Sequence, residues 1–262
     1  MTSITLPRSD IAGLAAVDMG RRHPVVLLHG VGLRAEAWHP QIEALQKSYR
    51  VVAPDMPGHG QSPCPDGEMD LPDYVRATLP LLERLDEPVL VIGHSMGAMI
   101  ALELAAQAPA HVCAVVALNA IFERTSQAAE AVQARAASLD TAQVHDPTET
   151  LQRWFGDRTS PERALCEQWL READPRGYKL AYTAFAHCDG PDRSALQGLA
   201  CPALFITGAL EPNSTPQMSE TMSALAPQGR AQIVEGAAHM MPLTHADAVN
   251  AAILALAQEV WP

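Results

Sequence analysis

The sequence predicts a doubly wound, mostly parallel α/β sheet with a helical cap insertion, and three observations carry that reading. Short apolar runs that end in turns alternate with helical stretches from residue 24 to residue 120, and the alternation resumes near residue 202. The runs are continuously apolar rather than alternating, which marks strands covered on both faces. Between residues 121 and 190 the rhythm breaks into helical stretches rich in Ala, Glu, Gln and Arg, with no convincing buried strand. One sheet with an inserted helical segment fits this split better than two independent domains. Residues 1–120 and 191–262 are therefore expected to form the core, and 121–190 the cap.

The first buried strand is "PVVLLHG" (24–30), followed by helical spacing in "AWHPQIEALQKS" (37–48). "RVVAPD" (50–55) is the second strand, and the Pro- and Gly-rich "MPGHGQSPCPDG" (56–67) after it reads as a loop. "LPDYVRATLPLLERLD" (71–86) is an amphipathic helix with Pro72 suited to its first turn. A third strand, "PVLVIGHS" (88–95), runs into the helix "MGAMIALELAAQAP" (96–109), and "VCAVVALNA" (112–120) is a fourth strand. Beyond the insertion come the strand "PALFIT" (202–207), a helix near 216–225, the strand "AQIVE" (231–235) and the helix "ADAVNAAILALAQEV" (246–260).

The chain has 262 residues, 48% hydrophobic and 18% charged, a globular composition with a net charge of −12. That negative balance argues against a nucleic-acid or anionic-membrane surface, because phosphates are repelled. The five cysteines are scattered with no C-x-x-C pair, so reduced thiols are expected rather than a disulfide framework or a metal site. No apolar run approaches the ~20 residues that span a bilayer, and the N-terminus lacks a signal-peptide pattern. A cytoplasmic protein without cofactors is the expectation. Its partner is a small-molecule substrate, and it is either a monomer or a homo-oligomer.

The chemistry centres on "VIGHSMGAM" (91–99), which contains Gly93-His94-Ser95-Met96-Gly97. A G-x-S-x-G pattern alone is common. Here it falls where a buried strand turns sharply into a helix, the setting in which a strained turn exposes a serine nucleophile at a helix N-terminus. A serine nucleophile needs a base for its proton. Among ten histidines, His23, His39, His111 and His145 fall in turns or at polar helix ends, and His94 adjoins the serine in sequence. His239 follows the last strand at the carboxyl edge, where sites form, with His245 and His187 as lesser candidates. The Gly-containing turn "LLHGVG" (27–32) can aim backbone donors at an oxyanion, and Val31 N–H with Met96 N–H is the natural pair.

The order "LLHGVG … RVVAPDMPGHGQS … GHSMG … FITGALEP … GAAHMMP" closely resembles the α/β-hydrolase superfamily, specifically its small esterases, lactonases and C–C bond hydrolases with a helical cap. The likeness spans nearly the whole chain and is weakest in the cap. It implies a chain order of Ser, acid, His, with the acid in the turn after the penultimate strand. Ser95, Glu211 and His239 follow that order. The usual acid in that turn is Asp, so Glu211 is a departure with one extra methylene. The position some members use instead, after the strand following the serine, holds Asn119, and the next carboxylate there is Glu123. The family's D-x-x-G-x-G-x-S loop matches Asp55, Gly58, Gly60 and Ser62, a buttress rather than a reacting group.

The resemblance implies a cofactor-independent serine hydrolase that cleaves a small, largely apolar ester, lactone or related acyl compound through an acyl-enzyme. The alternatives are a C–C bond hydrolase or amidase on the same residues and, in another class, a cofactor-free oxygenase, a perhydrolase or a ligand receptor. Dehalogenases and epoxide hydrolases place Asp where this chain has Ser95. Trp38, Phe122, Arg124, Trp154, Met240 and Met241 are the candidate pocket residues, with Arg124 or Arg153 placed to hold a substrate carboxylate.

Overall fold

The structure, a computed structural model, describes residues 4–262. Eight strands, β1 (Ser9–Ile11), β2 (Leu14–Gly20), β3 (Pro24–Leu28), β4 (Arg50–Pro54), β5 (Val89–His94), β6 (Val112–Leu118), β7 (Ala203–Gly208) and β8 (Gly229–Val234), form one sheet in the order β1-β2-β4-β3-β5-β6-β7-β8. The six strands from β3 onward pair in parallel, while β1 and β2 form an antiparallel hairpin docked on β4. The sequence predicts the parallel six and misses the hairpin. Its turn is only Ala12-Gly13, both at positive φ (55° and 86°), the geometry of a tight two-residue hairpin. β1 has only three residues, and the apolar stretch of β2 stops at Val17 before the exposed Asp18.

The pleat divides each apolar run between two helical layers. Along β3, Val26 and Leu28 pack with α2 (Leu71–Glu83), α3 (Met96–Gln107), α8 (Arg193–Gln197) and α9 (Pro216–Leu225). Val25 and Leu27 face the opposite way, onto α1 (His39–Leu45) and α11 (Ala246–Val260). Leu90 and Ile92 of β5 share that second layer, while Val89 and Val91 share the first. This two-sided burial is why the strands read as unbroken hydrophobic stretches.

Between β6 and β7 the chain forms α4 (Ser126–Ser138), α5 (Thr148–Phe155), α6 (Pro161–Glu172) and α7 (Pro175–Ala186) before α8. Thr125, Ser160 and Asp174 cap three of these helices, each accepting from a backbone N–H of the first turn. Leu151, Phe155, Trp169, Leu170, Tyr178 and Tyr182 of the insertion cluster with Leu33, Ala37, Met240 and Leu243 of the core. That cluster seats the helices over the carboxyl edge of the sheet. Among the described residues no helix is long and apolar enough to cross a membrane.

Candidate active site

Ser95 sits between β5 and α3 at φ 57° and ψ −121°, a conformation that β-carbon-bearing residues rarely adopt. The flanking glycines make the turn sterically possible. A Cβ on Gly93 would meet Gly97 O at 2.0 Å, and one on Gly97 would meet Leu28 O at 2.1 Å. Strand, turn and helix therefore pack backbone against backbone, and Ser95 is held at the head of α3.

His239 lies in the loop after β8, and Glu211 in the turn after β7. His239 Nδ1–H donates to Glu211 Oε2 at 2.7 Å, which leaves Nε2 of the ring as the proton-accepting nitrogen. Glu211 is 3% exposed, and its other oxygen accepts from the amides of Asn213 (2.9 Å) and Ser214 (3.4 Å). Burial alone would push its carboxyl up. The His239 charge, the His239 hydrogen bond and the two amides outweigh burial and hold it below the usual range. The backbone of His239 is pinned as well: its carbonyl accepts from Asn119 Nδ2 at 2.7 Å and from His94 Nε2–H at 2.8 Å. Among the described residues no hydrogen bond joins Ser95 Oγ to His239, though both residues open onto one cavity.

Two buried histidines brace the loop after β3. His29 donates from Nδ1 to Gly30 O (2.8 Å) and accepts the Met56 amide on Nε2 (2.9 Å). His59 donates to Pro57 O (3.1 Å) and accepts the Gly32 amide (3.0 Å). Burial keeps both rings neutral, with His29 lowered to about 3 chiefly by desolvation. Leu33 N–H is spent on Gly30 O, whereas Val31 N–H and Met96 N–H meet no turn or side-chain acceptor among the described residues. Gly30 lies against the serine, so a Cβ there would come within 3.0 Å of Ser95 Cβ. Asp55 anchors the neighbouring loop by accepting from Arg8 Nε (2.9 Å), Ala35 N (2.8 Å) and Gln61 N (2.9 Å).

The cavity beside Ser95 and His239 measures about 290 Å³. Val31, Leu33, Ile121, Val132, Trp154 and Phe185 give it apolar walls, and Trp154 stacks on the His239 ring at 5.4 Å between centroids. Arg124, Arg135 and Arg153 also line it, and among the described residues no Asp or Glu does.

A model of the "Alpha/beta hydrolase family" matches residues 25–252. The chain belongs to that family. An (E)-2-((N-methylformamido)methylene)succinate hydrolase of Acinetobacter baylyi is 40% identical over 260 residues, 97% of this chain and 98% of its own. A pimeloyl-[acyl-carrier protein] methyl ester esterase of Xanthomonas oryzae pv. oryzae is 30% identical, covering 90% of this chain and 95% of its own. The fold matches a solved thermophilic esterase of Thermogutta terrifontis (malate bound) with a TM-score of 0.86 over 100% of both chains at 23% identity.

In this α/β hydrolase, Ser95 and His239 open onto one cavity and Glu211 pairs with His239, while Val31 lines that cavity and Met96 follows Ser95 as the first residue of α3. Trp154 and Arg124 line the cavity. Four expected pocket residues do not. Trp38 is buried edge-on against His94, and Phe122 packs in the layer beneath α3. Met240 seats the insertion and Met241 faces α11, both fully buried. Each is a large apolar side chain next to the site in sequence, and core packing claims it first. Arg124 is also engaged: it donates to Cys188 O (2.6 Å) and Asp189 Oδ1 (2.8 Å), over the Phe185 ring. Glu123 points away and pairs with Arg193. His187 caps α7 and His245 precedes α11, neither of them on the cavity. Sequence reasoning missed Arg135 and Tyr178 as lining, Arg135 because an Arg- and Ala-rich helix such as α4 reads as solvated.

Proposed function

We propose that this chain is a cofactor-independent serine hydrolase that opens a small ester, lactone or amide through an acyl-enzyme on Ser95. His239 Nε2 takes the hydroxyl proton as Ser95 Oγ adds to the substrate carbonyl, and Glu211 stabilises the imidazolium that forms. Val31 and Met96 N–H receive the oxyanion, the role for which preorganised donors are most effective. As the intermediate collapses, His239 returns the proton to the departing alcohol or amine. A water then adds to the acyl-enzyme by the same route, which frees the carboxylic acid and restores the serine.

The observation that carries this reading is Ser95 held at φ 57° on the cavity it shares with His239, whose Nδ1–H is fixed on Glu211. The extra methylene of glutamate does not prevent that contact, and it lets the second oxygen settle on two backbone amides. The named relatives support a hydrolase reading, since one is a hydrolase of an N-methylformamido succinate compound and the other a methyl ester esterase. The expectation of a largely apolar substrate narrows: apolar walls face one part of the cavity and arginines another.

A stopped-flow burst tests the proposal. With p-nitrophenyl butyrate, wild-type enzyme should release p-nitrophenol in a burst equal to the enzyme concentration, and Ser95→Ala should show none. Equal turnover by both proteins would refute it.

A further inference from the structure

The three guanidiniums of the cavity are not equivalent. Arg124 is neutralised by Asp189 and two backbone carbonyls. Arg135 reaches Glu149 at 3.1 Å, Thr150 Oγ1 at 2.8 Å and the His145 Nε2 lone pair at 3.0 Å, and its guanidinium lies over the Tyr182 ring. Arg153 has no carboxylate partner among the described residues, and its recorded hydrogen bond goes to Thr150 Oγ1 at 3.3 Å. Thr150 thus bridges Arg135 and Arg153, and both arginines open onto the cavity that holds Ser95.

A half-buried cation beside a second cation costs stability unless something anionic completes it. Desolvation and the Arg135 charge both lower the pKa of Arg153, the opposite of what a structural ion pair does. Glu149, whose charge acts on Arg153, is bonded to Arg135, and among the described residues no Asp or Glu lines the cavity to complete Arg153. The planar guanidinium fork matches a carboxylate in bidentate geometry. Arg153 directly precedes Trp154, whose ring stacks on His239, so a carboxylate held there sits within one small cavity of the reacting serine.

We infer that Arg153, backed by Arg135 and Thr150, is a carboxylate-binding subsite, and that the substrates are acyl compounds with a free carboxylate remote from the bond that breaks. The inference rests on the serine-hydrolase reading and names the substrate class for it. Arg153 binds and orients the substrate and takes no part in proton transfer.

Two p-nitrophenyl esters of equal acyl length separate the outcomes, the hemisuccinate with a terminal carboxylate and the butyrate with a terminal methyl. Wild-type enzyme should favour the hemisuccinate in kcat/KM. In Arg153→Gln the hemisuccinate-to-butyrate ratio should fall about 10- to 100-fold, the worth of a charge-assisted hydrogen bond. Arg153→Lys, which keeps the charge and loses the fork, should fall less. The Tm of ligand-free Arg153→Gln should equal or exceed that of wild type, because a charge repelled by Arg135 is gone. A purely structural arginine would lower it. A wild-type ratio of one or below, a ratio unmoved in Arg153→Gln, or a variant too unstable to fold would each overturn the subsite.

Binding separates this inference from the reading beneath it. Ser95→Ala enzyme should bind succinate but not succinamide in calorimetry, and adding Arg153→Gln should weaken succinate in the same proportion. If wild-type enzyme hydrolyses neither ester, the hydrolase reading fails, and succinate binding still decides the subsite. If butyrate is cleaved with a burst while succinate does not bind, only the subsite fails.

Discussion

Glu211 Oε2 lies 2.7 Å from His239 Nδ1, in a turn where the family's usual acid is one methylene shorter. The longer side chain is accommodated because its second oxygen rests on the amides of Asn213 and Ser214. Glu211→Gln keeps this shape and removes the charge, so kcat should fall by about 10²–10⁴. Glu211→Asp restores the charge at a shorter reach and should retain more activity than Gln. Steady-state kinetics on variants with unchanged Tm checks both, and near-normal kcat in Glu211→Gln would exclude the glutamate as the orienting acid.

Asn119 is expected to position His239, although it also lines the cavity. Its amide holds the His239 carbonyl at 2.7 Å, and its oxygen accepts from Gly208 N at 3.3 Å. Its φ of 51° makes Asn119→Gly the variant that removes the side chain without new backbone strain. We expect kcat to drop roughly tenfold with little change in KM, since one bond worth about 1–2 kcal/mol positions the base. A change confined to KM would contradict that role.

How much of this was legible in the sequence varies with the kind of signal. Six strands were readable because burial on both faces makes them continuous apolar runs, and Ser95 and His239 followed from where those runs end. The β1–β2 hairpin was not, since β1 has three residues and the apolar stretch of β2 is cut short at Asp18. Glu211 emerged from chain order, but its reach was a question only coordinates answer. Pocket residues were the weakest reading. Met240 and Met241 adjoin His239 in sequence yet face the core, while Arg135 reaches the cavity from a helix with little apolar character. Which way a side chain points depends on how the inserted helices pack on the sheet, and no local pattern encodes that.

Arg8 in the missed N-terminal segment has a structural consequence. It bridges Glu36 (2.6 Å) and Asp55 (2.9 Å), all three side chains being almost fully buried. Arg8→Met would leave two carboxylates without their cation and should cost about 3–5 kcal/mol in urea denaturation. A loss below 1 kcal/mol would show that the loops tolerate its absence.

Acid should destabilise the fold before it protonates the site carboxylate. Burial first, then nearby histidine charge, hold His29 and His94 at about 3 against an ordinary 6.5, so the folded state keeps them neutral while the unfolded chain takes up protons. Stability should therefore fall as pH drops from about 6.5 toward 3, by about 1.4 kcal/mol per pH unit for each histidine. Glu211, held below its ordinary 4.5, contributes fully above that value and loses its contribution as pH falls through the lower folded one. His94→Gln should flatten the slope of unfolding free energy against pH between 6 and 4 by about one proton. An unchanged slope would mean that His94 is not held neutral.

In the proposed mechanism Ser95 is the nucleophile and His239 activates it. Peptide mapping after treatment with a fluorophosphonate tests this most directly. Wild type should give one adduct per chain, located on Ser95 and formed rapidly, and His239→Ala should slow it by about 10² or more. An unlabelled wild-type serine, or an adduct that forms equally fast without His239, would contradict it.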